Sequence, residues 1–244
     1  MSNLKINIIN LLKYSGFLSS KKEQPNYSFK GDFFSTHTET LRLIQNNSKI
    51  LDLGCNDGQL SLLLKTKKNC HVTGVDSQSL NDDKNVDDFI VHDLDSGPPQ
   101  IDYSKFDFII MLDVIEHLNN PENFLKALKK KLNNNNNISI IFTTPNIAFF
   151  TVRLSLLFGN FNYAPKGILD FTHKRLFTYY SFSNIFLDLN YKIFLKKGIP
   201  APFPLVIKNN FLSKLLLNLN IILIKIHKKL FSFQMLFVVK VKKT

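Results

Sequence analysis

The sequence predicts an α/β protein built on a doubly wound sheet, and three observations carry that expectation. Residues 49–65 read as strand, glycine turn and helix in immediate succession. Short apolar runs at 71–76, 106–112 and 138–143 then alternate with stretches of helical spacing. No stretch of about twenty apolar residues is free of charge, so no membrane span is expected.

Taken in order, residues 1–34 read as an appendage, a weak helix followed by the polar linker Lys21-Lys22-Glu23-Gln24-Pro25-Asn26. The main domain is expected over 35–244. Residues 36–44 read as a helix leading into the first strand, whose apolar run is Ile50 to Leu53. Gly54 and Gly58 punctuate the turn, and Leu60, Leu63 and Leu64 recur at helical spacing after it. The second strand is 71–76, the third 86–91 and the fourth 106–112. Asn120 is the N-cap of the next helix, with Pro121 in its first turn and Glu122 toward the positive end of the dipole. Phe124, Leu125, Leu128 and Leu132 form its buried face, and Lys129 to Lys131 suit its C-terminal end. The run Asn133 to Asn137 reads as a surface loop and 138–143 as the fifth strand. Regularity then falls. Residues 147–158 read as a helix, 159–178 as irregular, and 178–189 as a helix capped by Thr178. Residues 191–195 and 235–241 are β-rich. Two elaborations interrupt this half, at 146–178 and 200–233.

The formal net charge of +12 is unevenly placed. No Asp or Glu occurs from Tyr191 to Thr244, a segment with eleven lysines. That asymmetry points to an anionic partner or to a solvated basic face. Cys55 and Cys70 give neither a disulfide framework nor metal-ligand spacing, which fits a reducing, cytoplasmic setting. Nothing at the N-terminus reads as a signal peptide.

The choice of ligand rests on Asp52. A dinucleotide places pyrophosphate against such a turn and the helix that follows. A carboxylate two residues before Gly54 repels phosphate and suits an ammonium. Asp76 ends the second strand, where an acid accepts both hydroxyls of a ribose. A nucleoside with an amino-acid tail and no phosphate describes S-adenosylmethionine.

Asp52-Leu-Gly54-Cys-Asn56-Asp-Gly58 resembles motif I of the class I S-adenosylmethionine-dependent methyltransferases. Asn56 stands where that motif has its middle glycine. Asn is the non-glycine residue that best tolerates positive φ, so the turn is expected to survive. The resemblance implies a Rossmann-like seven-stranded sheet, mostly parallel with the last strand antiparallel and helices on both faces. It implies that Asp52, Gly54, Asn56 and Gly58 hold the methionine end and Asp76 the ribose. Asp93 and Leu94 would meet the adenine, and Leu112 at the end of the fourth strand completes the cofactor set. Asp113-Val-Ile-Glu116-His117-Leu118 resembles the fourth-strand motif of ubiquinone-type and polysaccharide-pathway methyltransferases. Thr143-Thr144-Pro145-Asn146 and the stretch from Asn146 to Thr178 resemble a branch acting on sugars and surface polysaccharides.

The reaction so implied is methyl transfer, with a sugar or surface-glycan hydroxyl as the expected acceptor. Quinone-type and RNA methyltransferases, and a methyltransferase-like binding protein without turnover, are the alternatives. RNA is disfavoured because the lysines gather in an apolar C-terminal stretch instead of interleaving with aromatics around the crevice. His117 and His173 are the candidate bases, since histidine is tuned to neutral pH, and Asp113 is placed with them as catalytic. Arg153 and Arg175 could fork an anionic group on the acceptor, with Tyr163 beside them as substrate-binding. The sulfonium is already activated, so no metal is expected. Glu116 and His117 lack an evident third ligand.

Residues 211–231 read as one long helix. Lys214, Asn218, Lys225 and Lys229 share a face, and leucines and isoleucines cover much of the rest. Two readings stand: a helix packed on the sheet or on a second copy, and an interfacial helix meeting an anionic membrane surface.

Overall fold

The computed structural model describes residues 33–132, 137–207 and 210–242. The expected appendage therefore lies almost wholly outside the described residues, as does most of the Asn133 to Asn137 loop.

Seven strands form one sheet in the order β3-β2-β1-β4-β5-β7-β6. They are β1 Lys49–Leu53, β2 His71–Asp76, β3 Asp88–Val91, β4 Phe108–Leu112, β5 Ser139–Pro145, β6 Tyr191–Ile199 and β7 Gln234–Val241. Strands β1 to β5 pair in parallel, and β7 runs antiparallel between β5 and β6. This is the Rossmann-like arrangement with an inserted antiparallel strand. Its topological switch lies between β1 and β4, where open α/β sheets hold ligands at the strands' carboxyl ends.

Strand residues alternate between two cores because successive side chains point to opposite faces. Leu51, Ile109, Ile140 and Phe237 enter one core, with Phe182 and Phe186. Ile50, Ile110, Ile141 and Leu236 enter the other, with Leu60 and Leu64. Seven helices complete the described fold: α1 Thr36–Leu43, α2 Gln59–Lys68, α3 Pro121–Leu132, α4 Phe150–Leu157, α5 Tyr179–Asp188, α6 Phe203–Val206 and α7 Phe211–Phe231. The core shared by α3 and α5 lies on one sheet face and the core of α2 on the other, as a doubly wound sheet requires. The expected caps form. The Asn120 side chain accepts the Asn123 amide at 2.9 Å, and Thr178 makes a capping box with Ser181.

Several boundaries differ from those read in the sequence. Strand β6 continues to Ile199, past the expected end at 195, because β7 offers a partner as far as Gln234. Strand β5 likewise reaches Pro145, opposite Gln234. The helix expected from 147 begins at Phe150, because Asn146 folds the chain into a turn. Its carbonyl accepts the Phe149 amide and its side chain the Ala148 amide. The one long helix expected over 211–231 is instead two helical stretches joined by a kink at His227 (φ −147°, ψ 81°).

Gly198 shows how α7 is seated. A Cβ there would lie 2.1 Å from Ser232 Oγ and 2.8 Å from Ile224 Cγ2, so the helix and its exit pack directly on the β6 backbone. Asn146 just beyond β5 donates to the carbonyls of Lys229 and Ser232 at 3.0 and 2.9 Å. Helix α7 is thus fixed at the sheet's carboxyl end, where the site forms.

Candidate active site

The first wall is the turn after β1. The amides of Gly54 and Cys55 donate to the Val75 carbonyl, which folds the turn onto the end of β2. Gly54 has φ 77°, and a Cβ there would meet Val114 Cγ2 at 2.4 Å. The glycine therefore supplies both a left-handed backbone and close approach to the segment after β4. Asn56 sits at φ 50°, the conformation its place in the turn required. Its amide donates to Asp76 Oδ2 at 2.9 Å, and the Gln78 amide donates to Oδ1 at 3.2 Å. Each Asp76 oxygen can accept further bonds, as a ribose diol would need.

Asp52 is buried and accepts from Ser61 Oγ at 2.6 Å. Burial pushes its carboxyl up to about 7, and the charge of Asp76 adds to the shift while the Ser61 bond opposes it. An ammonium beside it would restore the ionised form. Gly58 N-caps α2 in a left-handed conformation. Asp93 caps the short turn Leu94–Ser96 through the Asp95 amide, with Leu94 buried beneath it. Leu112 ends β4, half-buried. These residues fit S-adenosylmethionine in kind: a buried acid for its ammonium, a glycine-bearing cradle too tight for a side chain, and an acid at the ribose position.

The second wall is the segment after β4. Asp113 has φ 55°, held there by its neighbours. Thr143 Oγ1 accepts the Asp113 amide and donates to Oδ1 at 2.7 Å, and Gln234 Nε2 donates to Oδ2 at 2.6 Å. The short turn Ile115–His117 follows. His117 Nδ1 lies 3.1 Å from the Thr172 carbonyl, and His173 Nδ1 lies 2.9 Å from the Ile168 carbonyl. A carbonyl only accepts, so both rings carry the proton on Nδ1 and present Nε2 as an acceptor. The two rings meet edge to face with centroids 4.9 Å apart. Burial holds the His117 imidazole below the usual histidine range, and nearby His173 adds to that.

The third ligand that the sequence did not reveal is His173. Its Nε2 lies 4.0 Å from buried Glu116, and ligand atoms of Glu116, His117 and His173 all lie within 4.8 Å of one another. Such a set could hold a divalent cation. It forms because the chain of 168–175 folds back over the turn at 115–117. The Lys174 and Arg175 amides donate to the Glu116 carbonyl at 2.9 and 3.0 Å. Asp95 ties the same place to the loop after β3, accepting from Lys174 Nζ and from both the amide and side chain of Asn119. Thr143, Gln234 and Asp95 were not singled out in the sequence. Only Thr143, inside its quoted motif, carried any signal.

Each substrate candidate has its own partners in the fold. Arg153 donates from Nε to the Ala148 carbonyl at 2.8 Å, on its own helix's approach. Arg175 forms an ion pair with Glu122. Tyr163 stacks on Phe171 with centroids 6.4 Å apart and meets Phe161 edge-on.

Comparison with known proteins agrees with this geometry. Residues 29–195 match the methyltransferase domain family. A ubiquinone biosynthesis O-methyltransferase from Idiomarina loihiensis is 29% identical over 150 residues, covering 55% of this chain and 57% of that protein. The mitochondrial protein of the same description from Arabidopsis thaliana is 38% identical over 93 residues, covering 33% of this chain and 27% of its own. The chain thus spans about half the length of the first of these relatives and about a quarter of the second. In fold it is similar to a SAM-dependent methyltransferase structure from Aquifex aeolicus, with a TM-score of 0.51 at 13% identity over 86% of this chain and 91% of that one. The chain belongs to the methyltransferase domain family, in its class I form, with S-adenosylmethionine as the cofactor that its first wall fits.

Proposed function

We propose that this chain transfers a methyl group to a hydroxyl oxygen, with His117 as the general base. The observation that carries the reading is the fixed tautomer of His117: Nδ1–H is held by the Thr172 carbonyl, leaving Nε2 with a lone pair at the carboxyl end of β4. Bound S-adenosylmethionine supplies an electrophilic methyl group on its sulfonium. The protein's part is to place an acceptor oxygen in line with it and to exclude water. His117 is neutral at neutral pH, because burial disfavours its charged form. Its Nε2 takes the hydroxyl proton as the oxygen attacks, and Asp170 and Asp113 favour the imidazolium that results. The Thr172 carbonyl keeps the ring in one orientation throughout.

For the acceptor we favour a phenolic or quinol-type hydroxyl. Support comes from the aromatic group of Phe161, Tyr163 and Phe171, on the same insertion that holds His117, and from the relatives named for ubiquinone biosynthesis. The sugar or surface-glycan acceptor rests on the resemblance of residues 146–178. A charged sugar would call for a free cationic fork, whereas Arg153 and Arg175 are engaged with Ala148 and Glu122. Release of S-adenosylhomocysteine in the presence of a catechol, and none with sugar nucleotides, is the expected result; the reverse pattern overturns the acceptor. His117→Ala should lower turnover by about 10² to 10⁴ while sparing cofactor affinity. Unchanged turnover in that variant removes the base.

A further inference from the structure

Helix α7 buries a narrow face. Toward the protein it turns Ser213, Leu217 and Asn220, with Ile224 packed at Gly198. Ser213 and Asn220 are buried, Asn220 Oδ1 accepts the Ala201 amide at 2.9 Å, and its Nδ2 donates to the Phe231 carbonyl at 2.8 Å. Toward solvent it turns Phe211, Leu215, Leu219, Ile222 and Ile226, the first and last of them 82% and 73% exposed. With 100° per residue these five fall within one stripe, opposite Ser213 and Asn220. Lys214 and Lys225 are exposed along one flank of that stripe, and Lys228 and Lys229 are exposed just after the kink at His227. Helix α4 adds to it. Leu154, Leu157 and Phe158 are exposed, and its first residue, Phe150, meets Phe231 at the end of α7 with ring centroids 5.6 Å apart.

We propose that α7, with the exposed end of α4, docks on the surface of an anionic lipid bilayer. Charge complementarity selects this occupant. No acid lies anywhere from Tyr191 onward to oppose the lysines. Around the exit of α7, Lys196 is held below the usual lysine range by burial and by Lys228 and Lys229, so three ammonium groups crowd one place. A wide apolar stripe bordered by lysines matches an interfacial helix lying in the headgroup plane. Among the described residues, no helix is long and apolar enough to cross a membrane, so the contact is peripheral. Because α7 is tied through Asn146 to the carboxyl end of the sheet, docking also brings the site to the bilayer.

The test is co-sedimentation of the full chain with phosphatidylglycerol-containing vesicles and with pure phosphatidylcholine vesicles. Wild type should partition to the anionic vesicles. K214Q/K225Q/K228Q/K229Q should lose at least about a hundredfold in partitioning, since each lysine contributes about a factor of five near such a surface. Raising salt from 0.1 to 1 M should mimic it as the Debye length falls from about 10 to about 3 Å. A second variant, L215S/L219S/I222S, should lose the residual binding that salt leaves. Melting and cofactor titration establish that both variants fold. Negligible binding by wild type overturns the proposal. So does a wild-type dimer in analytical ultracentrifugation that L215S/L219S/I222S dissociates, because a second copy then covers the stripe. Salt-sensitive binding of wild type to single-stranded RNA, with none to vesicles, overturns it equally.

Discussion

The candidate cofactor side, residues 36–112, and the candidate acceptor side, residues 113–118 and 139–242, are held together by different kinds of contact. In the first, each site residue lies at a strand end and is fixed by its own or the next βα unit: Asn56 reaches Asp76 across 20 residues, and Asp52 reaches Ser61 across 9. In the second, the positioning bonds span the fold. Gln234 reaches Asp113 across 121 residues, Asn146 reaches Ser232 across 86, and His117 meets Thr172 across 55. The lesson is that the candidate cofactor cradle is built by local contacts, whereas the candidate acceptor side is assembled by the closing of β7 and the folding back of 168–175. The two halves should therefore fail differently.

The largest effect is expected from Asp76→Ala. It removes two charge-assisted bonds to the ribose, about 2 to 4 kcal/mol if both are desolvated, or about 30- to 1000-fold in cofactor Kd. It also frees the Asn56 amide that holds the turn. Turnover at saturating cofactor should change little. Calorimetry giving wild-type affinity for the folded variant would break the assignment of this half.

A smaller, complementary effect is expected from Gly198→Ala. The added methyl runs into Ser232 Oγ and Ile224, so α7 must lift from β6. Overpacking of this kind costs about 1 to 3 kcal/mol, and at about 2 to 4 °C per kcal/mol the Tm should fall by several degrees. Cofactor affinity should hold, because the cradle shares no residue with this contact. An undisturbed Tm would show the α7 seat to be softer than its geometry.

The smallest effect is a pH dependence set by Asp52. Its folded-state carboxyl titrates at about 7, well above the ordinary aspartate range. The folded protein then binds this proton more tightly than the unfolded chain. Its contribution to stability is fully present below the ordinary aspartate range and is lost as pH rises toward 7. An ammonium selects the ionised form, so cofactor affinity should rise by up to about tenfold per pH unit below 7 and level off above it. Asp52→Asn should flatten that profile. A profile equally steep in the variant would assign the titration to another group.

How much could be read in advance differs between the halves for the same reason. Asp52, Gly54 and Asp76 lie in strand–turn–helix patterns whose spacing alone places them at one end of a sheet. Asn56 follows, because its side chain tolerates the φ of 50° that the turn needs. The caps at Asn120 and Thr178 were equally legible, being bonds between residues three apart. His117 and His173 were each visible as candidates, yet nothing in a separation of 56 residues indicated that their rings touch or that Glu116 joins them. Gln234 is one polar residue at the start of an apolar strand. Its role exists only because β7 inserts antiparallel beside β5 and carries it to Asp113.

By itself, then, the sequence determined the sheet and pointed to the candidate cofactor cradle and the candidate bases. Those depend on apolar period, glycine and cap chemistry, and carboxylates at strand ends, all of which act over a few residues. The tertiary structure alone decided which direction α7 faces. Its composition is apolar nearly all round, so periodicity could not say which stripe was core. The inward face holds Leu217, Ile224 at Gly198, and Asn220, which finds two backbone partners there at Ala201 and Phe231. A buried amide left unpaired is costly. Once that amide is satisfied inward, the geometry of a helix puts Leu219, Ile222 and Ile226 in solvent.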